Sequence, residues 1–269
     1  MLKDITIGQY YPSESVVHKL DPRLKILLTL AYIVAIFFIG NFWGFLALGV
    51  GCVLLSKVSQ IPFKYMLKSV KPLAVLMAIT ALLNLFMTDG KVLWQWGILK
   101  VTQEGISMAV LMLFRVVFLV LGTSFLTYTT TPITLTAGIE SLLKPLKKIK
   151  VPAHEIAMMM SIALRFIPTL IEETDKIMAA QKARGAALSE GNILKRAKAL
   201  IPILIPLFIS AFRRADELAV AMESRCYHGG ENRTKMNALH YGKKDTVAFL
   251  IFAVAFTGIL SLNLLGGIL

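Results

Sequence analysis

Charge is what this sequence has least of. Only 17% of its 269 residues are charged while 56% are hydrophobic, and the mean hydropathy is +0.69. A water-soluble chain of this length carries more charge, so the composition excludes an ordinary soluble domain and points to a polytopic membrane protein. Cysteine is scarce too. Cys52 lies in an apolar run and Cys226 in a polar stretch, which excludes a disulfide framework and a cysteine metal set. No Gly-x-x-x-x-Gly-Lys-Ser/Thr run occurs, so the chain has no P-loop to cradle nucleotide phosphates. His154-Glu155 opens like a zinc-protease motif, but Met158 stands where the second histidine belongs. Glu172-Glu173 has no histidine or arginine at a spacing that suits intramembrane proteolysis, and reads as a solvated helix face. Catalysis, a cofactor and a metal are therefore not expected. A cleavable signal peptide is not expected either, because no small-residue cleavage site follows the first apolar run near Leu24.

Acids are also few relative to bases. Lys and Arg number 29 against 16 Asp and Glu, for a net charge of +13. In a soluble protein that surplus suggests nucleic acid. In a membrane protein the enrichment of cytosolic loops in Lys and Arg accounts for it, and here acids are interspersed among the bases. Nucleic acid is not an expected partner; the lipid bilayer is.

The apolar runs give the expected topology. Asp21 suits a helix N-cap and Pro22 the first helical position, with Arg23 and Lys25 at the membrane surface. Ile26 to Leu55 is uncharged, broken by Gly40-Asn41, and reads as two spans with a tight outer turn. Lys57, Lys64, Lys68 and Lys71 follow without an acid, which marks a cytosolic loop. Pro72 to Thr88 is a third span, Asp89 to Glu104 an outer loop with Trp94 and Trp96, and Gly105 to Thr130 a fourth. Arg115 is the one ionisable residue within these spans. It marks function, snorkels, or meets a structural partner.

Residues 131–244 mix both signs of charge and read as cytosolic amphipathic helices. One opens at Pro132 with Leu135, Ile139, Leu142, Leu143 and Leu146 on a face. Another opens at Pro152 and runs through Met158, Met159 and Met160 to Arg165. Ile201 to Phe212, holding Pro202 and Pro206, is too short to span. Thr246 to Leu269 is a fifth span. The expected fold class is thus all-α, a polytopic membrane protein with about five transmembrane helices. Its regions are 1–130 with four spans, 131–244 in the cytosol, and 245–269 as the last span. The N-terminus is expected inside and the C-terminus outside.

Two stretches in the cytosolic region echo each other. Ile167 to Gly185 and Ile209 to Cys226 are both amphipathic, the first with Glu172 and Lys176 paired at i,i+4. A shift of 41 positions (225 − 184) superimposes Arg184 on Arg225 and Asp175 on Asp216. Each helix ends in a small residue, an arginine and a small residue: Ala183-Arg184-Gly185 and Ser224-Arg225-Cys226. A cation at a helix C-terminus followed by a cap residue is a common way to finish a helix. Two copies instead suggest two plugs, because a guanidinium fork suits an acidic groove on a partner. Met158, Met159 and Met160 form a soft cluster that suits either a surface taking several partners or a cytosolic core.

Three stretches together resemble one family. They are His18-x-Leu20-Asp21-Pro22-Arg23-x-Lys25, Ala163-Leu164-Arg165-Phe166-Ile167-Pro168 and Ala180-Gln181-Lys182-Ala183-Arg184-Gly185. They resemble the transmembrane T component (EcfT) of energy-coupling factor transporters, along essentially the whole chain. The resemblance implies a scaffold in a prokaryotic cell membrane whose long coupling helices dock into two ABC-type ATPases, which themselves bind the ATP. A membrane-embedded, substrate-binding S component packs on that scaffold, and the assembly imports vitamins or other micronutrients. Arg184 and Arg225, with their flanking residues, would be the ATPase contacts, and Met158 to Met160 a contact for the S component. One departure from the family pattern is Cys226 in place of glycine; because cysteine enters positive φ less freely, the second helix is expected to end differently, near Gly229-Gly230. The alternative is a self-contained secondary transporter or channel, which calls for several acids or histidines inside the spans.

Overall fold

A computed structural model describes residues 10–96, 99–150, 152–186, 192–229 and 238–266. Nine helices and one hairpin are present among them: α1 Pro22–Phe38, α2 Phe42–Ser59, α3 Phe63–Val70, α4 Ala74–Met87, β1 Val92–Trp96, β2 Leu99–Thr102, α5 Gln103–Thr129, α6 Pro132–Leu143, α7 Ala153–Ala183, α8 Ile193–Glu223 and α9 Lys243–Gly266. The protein is an all-α polytopic membrane protein, with the short antiparallel hairpin the exception among the described residues. Its described residues divide into two units: one within 8–138 and 239–269, called the membrane unit for the three candidate spans it holds, and a second within 139–238.

In the membrane unit, α5 is the central post, contacted by α1, α2, α3 and α4. Its phenylalanines explain why. Phe114 and Phe118 stack on Phe45 of α2 with centroids 6.2 and 6.1 Å apart, and Ile36, Leu48, Met66, Leu121 and Tyr128 complete the buried cluster. The Asp21 carboxylate accepts from the Arg23 N–H at 2.8 Å and Pro22 occupies the first turn, as the sequence indicates. Arg115 has a structural partner. It donates to the carbonyl of Ile39, the C-cap of α1, at 2.9 Å, filling an acceptor that a helix end leaves open.

Two expectations change here. The lysine-bearing stretch is helix rather than loop: α3, a 3-10 turn at Lys71–Leu73 and α4 run on as Phe63–Met87. The loop expected to face out holds the β1–β2 hairpin, with Trp94 opposite Val101. The alternation of Val92, Trp94 and Trp96 is the period-2 signal that such a strand requires.

Among the described residues, four helical stretches are long and apolar enough to cross a membrane: Phe42–Ser59, Phe63–Met87, Gln103–Thr129 and Ala153–Ala183. The sequence places the last of these, α7, in the cytosol. Its 18-residue apolar window has the lowest mean hydropathy of the four, 1.3 against 1.7 to 2.3, because the run from Met158 to Ile171 holds Arg165 and is bordered by Glu155 and Glu172. The first expected span, α1, is 17 residues long, about 26 Å against a hydrocarbon core of roughly 30 Å.

In the second unit, helices that prolines separate in the sequence are continuous. α7 and α8 are each 31 residues long, α7 with Pro168 inside and α8 with Pro202 and Pro206. An internal proline removes one hydrogen bond and leaves the carbonyl four residues earlier without its donor. For Pro206 that carbonyl belongs to Pro202, and the Gln181 side chain of α7 donates to it at 3.3 Å. The neighbouring helix thus supplies the bond that the proline removes.

Candidate docking ends of the paired helices

α7 and α8 pack antiparallel. Gln181, near the end of α7, reaches Pro202 near the start of α8. Glu173, two turns and more before Gln181 on α7, bonds Arg214 at 3.0 Å, and the Arg214 guanidinium lies 5.9 Å from the Phe166 ring centroid. The expected Glu172–Lys176 pair does not form among the described residues; the acid that is used is its neighbour, reaching across to the other helix. Glu173 and Arg214 are 41 positions apart. That is the same shift that superimposes the two helix ends, so the salt bridge joins equivalent positions of the two stretches and places a local two-fold relation there.

Both arginine ends are built alike. After α7, the Gly185 N–H donates to Lys182 O at 3.0 Å and the Ala186 N–H to Gln181 O at 3.0 Å. After α8, the Cys226 N–H donates to Glu223 O at 2.8 Å and the Tyr227 N–H to Met222 O at 3.1 Å. This is one hydrogen-bond pattern twice, the left-handed cap that satisfies the last carbonyls of a helix. It needs a positive φ at its hinge, and Gly185 has φ 85° while Cys226 has φ 54°. The expectation that cysteine would move the second helix end is therefore corrected. Two cap hydrogen bonds outweigh the roughly 1–2 kcal/mol that a left-handed conformation costs an L-residue.

The cap leaves both arginines in the open. Ala183, Arg184, Gly185, Ser224, Arg225 and Cys226 are all exposed, and neither guanidinium has an ion-pair partner among the described residues. A 31-residue helix is about 45 Å long, so an antiparallel pair holds the two arginines at opposite ends. Beside the Arg225 end lies a cleft of about 610 Å³ lined by Ile162, Phe166, Leu218, Met222, Tyr227 and His228. Neither Tyr227 nor His228 is picked out by sequence reasoning, because both follow the motif. The methionines are split: Met159 is 59% exposed and Met160 38%, while Met158 is half-buried. His154 Nδ1 meets Glu140 Oε1 at 3.1 Å, and no group of three or more metal-ligating side chains occurs among the described residues.

The model of the family described as "Cobalt transport protein", CbiQ, matches residues 13–236. The protein named energy-coupling factor transporter transmembrane protein EcfT of Clostridium kluyveri is 57% identical over 252 residues, 93% of both chains. That of Ruminiclostridium cellulolyticum is 53% identical over 97% of both chains. That of Bacillus subtilis is 47% identical over 91% of this chain and 93% of its own. The chain belongs to the EcfT family.

The EcfT resemblance at the N-terminus rests on a polar knot in the membrane unit. His18 takes the Ser15 hydroxyl on Nδ1 at 2.7 Å and faces the Tyr11 carbonyl through Nε2 at 3.0 Å. Burial, chiefly, holds its pKa below the ordinary imidazole range. Lys25, only 7% exposed, donates to the His18 and Thr129 carbonyls at 3.1 and 2.9 Å. The Asp21 N–H donates to Asp245 at the start of α9 at 2.8 Å, and Arg23 donates to Leu239 O while stacking over Tyr241. These EcfT residues are structural. They tie α1 to the ends of α5 and α9, a role that spacing alone does not announce.

Proposed function

We propose that this chain is the membrane scaffold of an energy-coupling factor importer for a vitamin or other micronutrient. Two ABC-type ATPases, which bind and hydrolyse the ATP, dock at the Arg184 and Arg225 ends. The antiparallel pair α7–α8 carries their motion to a substrate-binding S component in the membrane. The chain itself is not an enzyme. The N-terminus and the lysine-bearing end of α3 face the cytosol and the C-terminus faces out. α7, long enough to span, serves as an amphipathic coupling helix, with Met159 and Met160 open to the S component.

The observation that carries this reading is the twofold cap: two identical hydrogen-bond patterns present two unpaired guanidinium groups at opposite ends of one rigid pair. A fork of that kind buried against an acidic groove leaves a carboxylate unpaired when it is removed, at about 2–5 kcal/mol. Because both plugs sit on one scaffold, the second keeps a high effective concentration when the first is lost. Arg184→Ala or Arg225→Ala alone should lower ATPase co-purification partly and uptake far more, while the double substitution should release the ATPases. Lysine should rescue poorly, since it lacks the bidentate fork. The reading fails if the double variant holds its ATPases and transports like the parent.

A further inference from the structure

The membrane unit carries a second feature that the coupling role does not use. A groove of about 670 Å³ runs between α2, α3 and α5, and every residue lining it is apolar apart from the thiol of Cys52. Phe42 and Val110 line one end, Leu54, Phe63 and Leu67 the other. From Phe42 to Leu54 is about 18 Å of helix, close to the roughly 15 Å depth of one leaflet's hydrocarbon.

Four lysines follow the groove's Leu54 end on α2, on α3 and just after α3. Lys57 follows the lining residues Val53 and Leu54 by four and three positions, so it lies on the same face of α2, one turn beyond the groove. On α3, Phe63 and Leu67 face the groove, and Lys64, Lys68 and Lys71 recur at the four-then-three spacing of a single stripe beside them. All four lysines are exposed. None forms an ion pair among the described residues. No acid occurs anywhere from Pro22 to Thr88, so no carboxylate of this stretch competes for them. Met66, on the opposite side of α3, is fully buried, which fixes the stripe outward.

We propose that this groove holds one anionic phospholipid, its acyl chain along α2 and α5 and its phosphate among Lys57, Lys64 and Lys68, with Lys71 adding to the field. The apolar wall matches an acyl chain and nothing polar. These lysines select negative over zwitterionic headgroups, at about fivefold per lysine near a membrane surface. A partner helix in the same groove would meet four unmatched cations at its end.

The test uses the purified full-length chain, titrated in mild detergent with phosphatidylglycerol or with phosphatidylcholine and read by native mass spectrometry. One phosphatidylglycerol should bind at least about tenfold tighter than phosphatidylcholine. The combined change Lys57→Gln, Lys64→Gln, Lys68→Gln and Lys71→Gln alters only exposed side chains and should erase that preference while leaving phosphatidylcholine binding unchanged. Val53→Trp fills the groove and should weaken both lipids with the lysines intact. A photoreactive residue at Leu67 should cross-link lipid in native membranes. The proposal is overturned if the two lipids bind alike, if the lysine variant keeps its preference, or if Leu67 captures a protein segment.

Discussion

Single side chains decide how firmly the two helix ends are set. Cys226 holds a left-handed conformation that glycine holds at Gly185, and that costs an L-residue about 1–2 kcal/mol. Cys226→Gly should therefore slow amide exchange at the second cap by around fivefold or more, and Cys226→Val should speed it, because a branched Cβ is worse there. Hydrogen exchange at residues 224–227 reads this directly. His18 gives a second outcome at this scale. Its folded pKa lies below the unfolded value of 6.5, so the unfolded chain binds the proton more readily. The stabilisation is complete above pH 6.5 and is lost as pH falls from there through the folded value. Thermal melts in detergent should show that loss, and His18→Gln should flatten it. The residue types at the caps were legible because caps have local chemistry. The bond from Glu173 to Arg214 was not, because nothing in spacing says which of two adjacent acids turns across to another helix.

Helices α7 and α8 show where reading elements from a sequence stops. Pro168, Pro202 and Pro206 look like breaks, since each removes a backbone donor. Whether a proline ends a helix depends on what replaces the missing bond, and for Pro206 the replacement comes from Gln181 on another element. A double-mutant cycle isolates this. Gln181→Ala should cost about 0.5–1.5 kcal/mol in the parent. In a Pro206→Ala background the Pro202 carbonyl regains its own helical donor, so the same substitution should cost close to nothing. Equal costs in both backgrounds would mean that the contact does not satisfy that carbonyl. The amphipathic faces and the 41-residue echo were visible in the sequence, as was the first helix end; the cap at Cys226 was not, because a left-handed cysteine is disfavoured on local grounds alone. Continuity through proline was not, and neither was the helical state of Lys64 to Lys71, where charge hid the 3.6-residue period.

At the scale of the molecule, the sidedness of the membrane unit is open to a chemical test. Ser59 looks suitable for a reporter cysteine by sequence but is fully buried; Lys64 and Asp89 are exposed. In a background without Cys52 and Cys226, an impermeant thiol reagent applied to intact cells should label Asp89→Cys and spare Lys64→Cys. Labelling at position 64 would reverse the orientation. The Asp21–Asp245 bond joins residues 224 positions apart, so the membrane unit is assembled from the first half of the chain and its last helix. A ribosome making this protein must therefore finish both α7 and α8 before α9 exists. Until then the Asp21 N–H lacks the Asp245 carboxylate to which it donates in the folded protein, while the two arginine-ended helices have already been made. The order of synthesis thus leaves the start of α1 waiting for α9 while every helix from α2 to α8 is made in between.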